Sequence, residues 1–276
     1  MSDHYAVVGN PIAHSLSPQI HHAFAAQTGE DLLYRKLLAP LDAFAECART
    51  FFAEGGRGLN ITLPFKLEAR DLADQLTTRA AAAGAVNTLL CQEDGRLLGD
   101  NTDGAGLVAD ICRNLGWAIR DKQVLLIGAG GAARGALLSL LAEQPAHLHL
   151  ANRTAAKAEQ LADDFSHYSA LSGGGLQGLR GRFDLVINAS SASLDNALPA
   201  LPEQLFTTGG KAYDMVYATG PTPFVHWARA QRVPASDGLG MLVGQAAESF
   251  YLWRGVYPQV APVLTRLRRG LGKKNN

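Results

Sequence analysis

The sequence predicts an α/β protein of two domains, and three observations carry that prediction. The run GAGGAA at Gly128–Ala133 follows the apolar stretch Val124–Ile127 and opens a small-residue helix, Ala132–Leu141. More than 120 residues precede that run, with their own alternation of short apolar strands and helical periods. A length of 276 residues suffices for two domains.

The elements follow in order. Tyr5–Gly9 reads as a short strand and Pro18–Ala26 as a helix, with Ser17 as a credible N-cap and Pro18 in the first turn. Leu33–Leu38 is a strand, and Leu41–Phe52 carries a helical apolar period. Gly58–Thr62 is a third strand, with a helix starting near Pro64. Val86–Cys91 and Arg96–Gly99 form a hairpin around Glu93, Asp94 and Gly95. A helix over Gly104–Leu115 leads into the second unit. Its strands are Gln123–Ile127, His147–Ala151, Leu185–Asn188 and Ala212–Met215, with helices Ala132–Leu141 and Ala155–Asp163 between the early ones, a half-Rossmann arrangement. The glycine-rich Leu171–Gly181 reads as a flexible surface loop. Met241–Trp253 and Pro258–Leu267 are helical and are expected to return to the first unit. The expected boundaries are 1–103 for the N-terminal α/β domain, 104–238 for the Rossmann domain and 239–276 for the C-terminal helices.

Composition narrows the function classes. The chain is 47% hydrophobic, and 25 Lys plus Arg balance 25 Asp plus Glu. That balance argues against nucleic acid or an anionic membrane as the main partner. Arg266, Arg268, Arg269, Lys273 and Lys274 read as a solvated helix end and tail. The three cysteines, Cys47, Cys91 and Cys112, are widely spaced and odd in number, which fits neither a disulfide framework nor a zinc site. No metal is expected. The start MSDHYAVVGNP lacks the basic and apolar regions of a signal peptide, and no apolar run reaches membrane-spanning length. The expected setting is the cytoplasm.

Strand, glycine turn and helix form the arrangement that cradles a dinucleotide pyrophosphate. Gly128 permits the tight turn, Gly130 a close backbone approach, and Ala133 the passage of helix over strand. Helix N-terminal amides supply the anion site. A tight βα turn in an unrelated sheet is the competing reading. After the second strand come Asn152, Arg153, Thr154 and then Lys157, where an NAD site ordinarily offers an Asp or Glu to the ribose. Arg153 can pair with a 2′-phosphate, Thr154 can add a hydroxyl or cap the helix, and Lys157 can add attraction. NADP(H) is therefore expected over NAD(H).

Three polar segments of the first unit fall at strand ends, where open α/β sheets gather ligands: Asn10–Pro18, Gly58–Lys66, and Gly84–Thr88 with Asp100–Gly104. Ser15, Ser17, Asn60, Thr62 and Asn87 offer short hydroxyl and amide contacts suited to a small polyhydroxylated acid. Lys66 offers a positive charge or a proton.

The motifs SLSP at Ser15–Pro18, NITLPFK at Asn60–Lys66, GAVNT at Gly84–Thr88 and GDNTDG at Gly99–Gly104 resemble those of the shikimate dehydrogenase family. So do GAGGAA, NRT at Asn152–Thr154, YDMVY at Tyr213–Tyr217, TPF at Thr222–Phe224 and GMLVGQA at Gly240–Ala246. The resemblance runs through almost the whole chain in order. It implies an NADP-dependent enzyme that reversibly reduces 3-dehydroshikimate to shikimate in the chorismate and aromatic amino acid pathway, with two domains around a cleft. It implies Lys66 and Asp103 as the catalytic pair, although a lysine–aspartate pair alone reads equally as a salt bridge.

The same resemblance places Ser15, Ser17, Thr62, Asn87, Tyr217 and Gln245 around the substrate beside Lys66 and Asp103, the serines holding its carboxylate. Taken singly, Ser17 also reads as a cap, Asn87 as a turn residue and Gln245 as a surface residue. For the cofactor it points to Gly128, Ala129, Gly130, Gly131, Ala132, Asn152, Arg153, Thr154, Lys157, Met215 and Gly238, with Met241, Ser190 and Ser191 nearby. Thr78 stands where the family commonly has an acidic residue, and Ser190 where many relatives carry threonine. The rival functions are a quinate/shikimate dehydrogenase of broader specificity and a noncatalytic NADP-binding regulator. A monomer or homodimer is expected.

Overall fold

The computed structural model describes residues 2–167 and 171–272. The chain divides into two compact units: Met1–Gly106 with Val243–Thr265, and Leu107–Leu242 with Arg266–Asn276.

Unit 1 runs β1 (Asp3–Gly9), α1 (Ser17–Thr28), β2 (Leu32–Leu38), α2 (Phe44–Ala53), β3 (Gly56–Ile61), α3 (Lys66–Leu72), β4 (Gln75–Leu76), α4 (Thr78–Ala83), β5 (Thr88–Cys91) and β6 (Leu97–Asp100). The sheet order is β2-β1-β3-β5-β6-β4. β1 pairs in parallel with β2 and β3, while β5 runs antiparallel to both β3 and β6. The hairpin expected around Gly95 is present, with Gly95 at φ +84°. One core face joins Val8, Leu59 and Ile61 of the sheet to Phe44, Ala48 and Phe51 of α2 and to Phe65. Helix α2 begins at Phe44 rather than Leu41, because Phe44 is fully buried while Leu41 is 66% exposed.

The next helices are α5 (Asp103–Ala109), α6 (Gly131–Ala142), α7 (Ala155–Asp164), α8 (Pro223–Ala230), α9 (Leu239–Arg254) and α10 (Val260–Gly272). The expected helix Gly104–Leu115 is in fact α5 followed by a π-turn over Asp110–Asn114. The later part of α9 is anchored within unit 1. Trp253 stacks on Tyr5 at 4.7 Å and donates its indole N–H to the Leu89 carbonyl at 3.0 Å. Arg254 pairs with Asp3 and Glu30. Gly58 of β3 allows this approach, since a Cβ there would lie 2.4 Å from the Trp253 ring.

Unit 2 contains β7 (Gln123–Ile127), β8 (His147–Asn152), β9 (Leu171–Gly175), β10 (Phe183–Asn188), β11 (Phe206–Asp214) and β12 (Ala235–Ser236). All pair in parallel, in the order β12-β11-β10-β7-β8-β9. That is a complete doubly wound sheet rather than the expected half, with the order reversing at β7 and β10. Two of its strands are not among those expected: β12, only two residues long, and β9.

The expected loop Leu171–Gly181 begins as strand β9, paired with β8 from Leu148↔Leu171 to Asn152↔Gly175. Its glycines serve packing. A Cβ on Gly173 would sit 2.3 Å from the Ala158 carbonyl of α7, so only glycine lets the helix lie on this strand. Ser172 bonds to His147 Nε2 at 2.8 Å and His149 Nδ1 at 2.7 Å. Among the described residues no helix is long and apolar enough to cross a membrane.

Candidate active site

In unit 1 the residues after β3 lead directly into α3, and Lys66 is that helix's first residue. Phe65 before it is fully buried and stacks on Phe44 at 5.0 Å, which fixes where the lysine starts. The Lys66 carbonyl accepts from Val86 N at 2.9 Å, tying the turn to the segment before β5. Asp103 opens α5, and its N–H donates to Asn101 Oδ1 at 3.2 Å.

Lys66 Nζ lies 2.5 Å from Asp103 Oδ2, the lysine side chain 27% and the aspartate 7% exposed. Asn87 Nδ2 donates to Asp103 Oδ1 at 2.8 Å and lies 3.3 Å from Gln245 Oε1 of α9. Thus Lys66, Asp103, Asn87 and Gln245, separated by up to 179 residues along the chain, form one bonded cluster. The turn and exposed-surface readings of Asn87 and Gln245 give way to this arrangement.

A second layer lies beneath. Asn87 Oδ1 accepts from Thr102 N at 2.9 Å and from Thr88 Oγ1 at 2.9 Å. Asn60 Nδ2 donates to Thr88 at 3.2 Å and to Ser249 at 2.9 Å, while Tyr34 donates to Asn60 Oδ1 at 2.7 Å. Sequence reasoning assigned no role to Tyr34, Thr88, Thr102 or Ser249. The only sequence signal lay in Thr88 and Thr102 being embedded in the GAVNT and GDNTDG motifs. Nearby, Asp100 is clamped by Arg79 at 2.5 Å and by Thr77 at 2.6 Å. Burial pushes the Asp100 carboxyl up, but the Arg79 guanidinium outweighs burial and holds it below the usual range.

Ser15 donates to Ser17 Oγ at 3.2 Å and accepts from Ser17 N at 3.3 Å. Ser17 is therefore not the N-cap of α1. Leu16 occupies that place without a side-chain bond, and Pro18 supplies the early proline. The Tyr34 hydroxyl lies beside Ser17. Thr62 is half-buried, and Gly9 makes room for it, since a Cβ there would lie 2.4 Å from Thr62 Cγ2. Among the described residues, none of Ser15, Ser17 and Thr62 bonds directly to the lysine–aspartate pair.

In unit 2, Gly128 follows β7 at φ +115° and donates to the Ala151 carbonyl at 2.8 Å. A Cβ there would come within 3.1 Å of the Ala189 backbone. Gly130 caps α6, among the described residues no side chain bonds to the helix's first amides, and open space lies where Cβ atoms of Gly130 and Gly131 would be. Ala129 is half-buried and Ala132 exposed, while Ala133 is fully buried against the sheet. At the end of β8, Asn152 Nδ2 donates to the Thr154 carbonyl at 3.0 Å. Thr154 stands at the N-cap of α7 without a side-chain capping bond. Arg153, Thr154 and Lys157 are exposed, and Arg153 forms no ion pair among the described residues. An open glycine turn, free helix amides and an unpaired guanidinium fit a phosphorylated dinucleotide.

At the far end of this sheet edge, Asp214 accepts from Thr222 at 2.6 Å, Ser193 at 2.7 Å and Asn188 at 3.1 Å. Burial nevertheless pushes its carboxyl up. Ser190 donates to Asn188 Oδ1 at 2.7 Å, a bond within the turn after β10, and Ser191 begins a short 3₁₀ turn. Met215 and Tyr217 follow β11 and are half-buried, and burial raises the Tyr217 phenol. Gly238 is needed where it stands: a Cβ would lie 2.1 Å from the Met215 carbonyl. Met241 is buried. Of the named substrate candidates, Tyr217 is the one carried by unit 2 rather than unit 1.

A doubly wound unit with an open phosphate turn, in one chain with an α/β unit carrying a lysine–aspartate cluster, defines a dinucleotide-dependent oxidoreductase. Family models match in chain order: a shikimate dehydrogenase substrate binding domain over residues 7–89, shikimate/quinate 5-dehydrogenase over 110–197, and a shikimate 5′-dehydrogenase C-terminal domain over 238–268. The chain belongs to the shikimate dehydrogenase family. It is 56% identical over 268 residues to the shikimate dehydrogenase (NADP(+)) of Thioalkalivibrio sulfidiphilus, covering 96% of this chain and 98% of that one. Its fold matches an Ael1 enzyme from Pseudomonas putida at TM-score 0.93 and 46% identity, over 96% and 98% of the two chains. It also matches shikimate 5-dehydrogenase from Thermus thermophilus, solved with NADP(H) and shikimate, at TM-score 0.86 and 34% identity, over 97% and 99%.

Proposed function

We infer that this protein catalyses the reversible NADPH-dependent reduction of 3-dehydroshikimate to shikimate. The observation that carries the reading is the Lys66–Asp103 pair, bridged by Asn87 to Gln245, in a chain of this family. NADPH, when bound, supplies the hydride.

The residues of unit 1 handle the acceptor. As the ring carbonyl is reduced, negative charge grows on its oxygen, and the Lys66 ammonium stabilises that charge and delivers the proton. Asp103 keeps the ammonium oriented through Oδ2 and has Oδ1 fixed by Asn87, so the lysine is aimed before substrate arrives. Ser15 and Ser17 take the substrate carboxylate, and Thr62, Asn87 and Gln245 the ring hydroxyls. In unit 2, amides of Gly128–Ala132 and the start of α6 would hold the pyrophosphate, and Arg153, with Asn152, Thr154 and Lys157 beside it, the 2′-phosphate. Met215 and Gly238 would border the nicotinamide end. The intact pair disfavours a purely binding role. A monomer or a homodimer would present the same set of residues.

The test is a panel of shikimate and quinate with NADP⁺ and NAD⁺, followed as reduced-cofactor absorbance. The expected result is highest kcat/KM for shikimate with NADP⁺. Equal or greater efficiency on quinate would replace the reading with the broader enzyme. Cofactor binding without turnover of any member would replace it with a regulator.

A further inference from the structure

We propose that Thr88 is a positioning residue: its buried hydroxyl, held by Asn60, locks the Asn87 side chain with its nitrogen towards Asp103. The inference rests on the reading of Lys66 and Asp103 as the reacting pair.

Two backbone groups set the polarity of the bonds involved. The Thr102 N–H can only donate, and it donates to Asn87 Oδ1 at 2.9 Å. The Asn87 carbonyl can only accept, and Asn60 Nδ2 lies 3.5 Å from it. Asn87 therefore presents oxygen to Thr102 and nitrogen to Asp103, and Asn60 presents nitrogen to Thr88 and Ser249. Tyr34 donates to Asn60 Oδ1, which agrees with that orientation. The Thr88 hydroxyl stands between them. It accepts from Asn60 and has one proton, which goes to Asn87 Oδ1 at 2.9 Å. Ser249 accepts from Asn60 at 2.9 Å, and its own proton goes to Thr88 Oγ1, at 2.8 Å nearer than the Gln245 carbonyl at 3.1 Å, which leaves the Thr88 proton for Asn87.

Thr88, Thr102 and Ser249 are fully buried, and Asn87 is 3% exposed, so water offers no substitute partner. The ordered sequence Asn60 → Thr88 → Asn87 → Asp103 ends on the carboxylate that holds Lys66. Losing the Thr88 proton leaves Asn87 Oδ1 held by Thr102 alone, widens the motion of the Asn87 amide, and loosens the carboxylate that aims the ammonium. The predicted loss falls on turnover more than on substrate binding.

The experiment compares Thr88→Val, which keeps the shape and removes the hydroxyl, with Thr88→Ser, which keeps the hydroxyl. For shikimate oxidation with NADP⁺, kcat of the Val variant is expected to fall about tenfold, with KM values and the Ser variant staying within about twofold of the parent. A second readout needs no turnover. The Asn87 side-chain amide protons, assigned by NMR through their loss in Asn87→Asp, are expected to exchange roughly tenfold faster in the Val variant but not in the Ser variant. If Val prevents folding, Thr88→Ala takes its place with the same two readouts. Parental kcat and exchange in the hydroxyl-free variant, or a Ser variant as impaired as Val, overturns the proposal. A parent enzyme inactive on shikimate whose amide exchange still responds to Thr88→Val overturns the reading of the reaction and leaves the positioning role supported.

Discussion

The two units build their sites by opposite means. In unit 1 the functional side chains are buried or half-buried and already bonded to one another: Lys66 to Asp103, Asp103 to Asn87, Asn87 to Gln245 and Thr88. In unit 2 the cofactor features are open: glycines facing empty space, uncapped helix amides and exposed Arg153. The difference follows from the tasks. A proton must be delivered to one oxygen, which demands a donor aimed in advance. A pyrophosphate is held by many weak backbone donors and a cation, which demands access rather than interlocking.

Disrupting the interlocked site gives the largest expected effect. Lys66→Met should lower kcat for shikimate oxidation by roughly 10²–10⁴-fold while NADP⁺ affinity, measured by fluorescence titration, is unchanged. Loss of NADP⁺ affinity in parallel would erase the division between the units. Removing the exposed cation comes next. Arg153→Ala should weaken NADP⁺ by about 1.5–3 kcal/mol in kcat/KM, with little change for NAD⁺. A variant that keeps the parental preference would remove Arg153 from the phosphate site.

The burial that organises unit 1 also makes it acid-sensitive. His21 is fully buried against Tyr34 at 4.3 Å, and neither ring nitrogen has a hydrogen-bond partner among the described residues. Burial, only partly opposed by nearby Asn60, lowers its pKa from 6.5 to about 3. The unfolded chain therefore takes up the proton first. The stability held by neutral His21 is fully present above about pH 6.5 and is lost as pH falls towards 3, by about 2 kcal/mol between pH 6.5 and 5. Urea titrations at several pH values should show this slope, and His21→Phe should flatten it; an unchanged slope would assign acid sensitivity elsewhere. The smallest effect is expected at Tyr217, the substrate candidate on unit 2. Tyr217→Phe should cost about 0.5–1.5 kcal/mol in kcat/KM for shikimate, and none for NADP⁺ binding. A larger loss in cofactor binding would move Tyr217 to the other site.

Much of the fold and of the candidate site is legible in the residues alone. Strand β7, the glycine turn and α6 can be placed because a phosphate turn imposes a local pattern: an apolar run, a residue tolerating positive φ, then small helix residues. Strand β9 cannot, because its glycines are required by α7 packing on it, a contact that leaves the same composition as a flexible loop. Ser17 reads as a cap because serine before a helical proline commonly is one. The chain instead starts the helix at Ser17 and bonds that serine to Ser15.

The sequence by itself determined most element types, the family, the phosphate turn and the residue types available for chemistry, since these depend on local propensity and short motifs. Only the tertiary structure decided which of those residues meet. Gln245 and Ser249 lie more than 150 residues from Asn87 and Thr88 along the chain, yet α9 carries them into the same buried network. No local pattern encodes that encounter. It arises because Trp253 and Arg254 bind the rest of α9 to β1 and β5, and the helix then has no freedom to place its polar residues elsewhere.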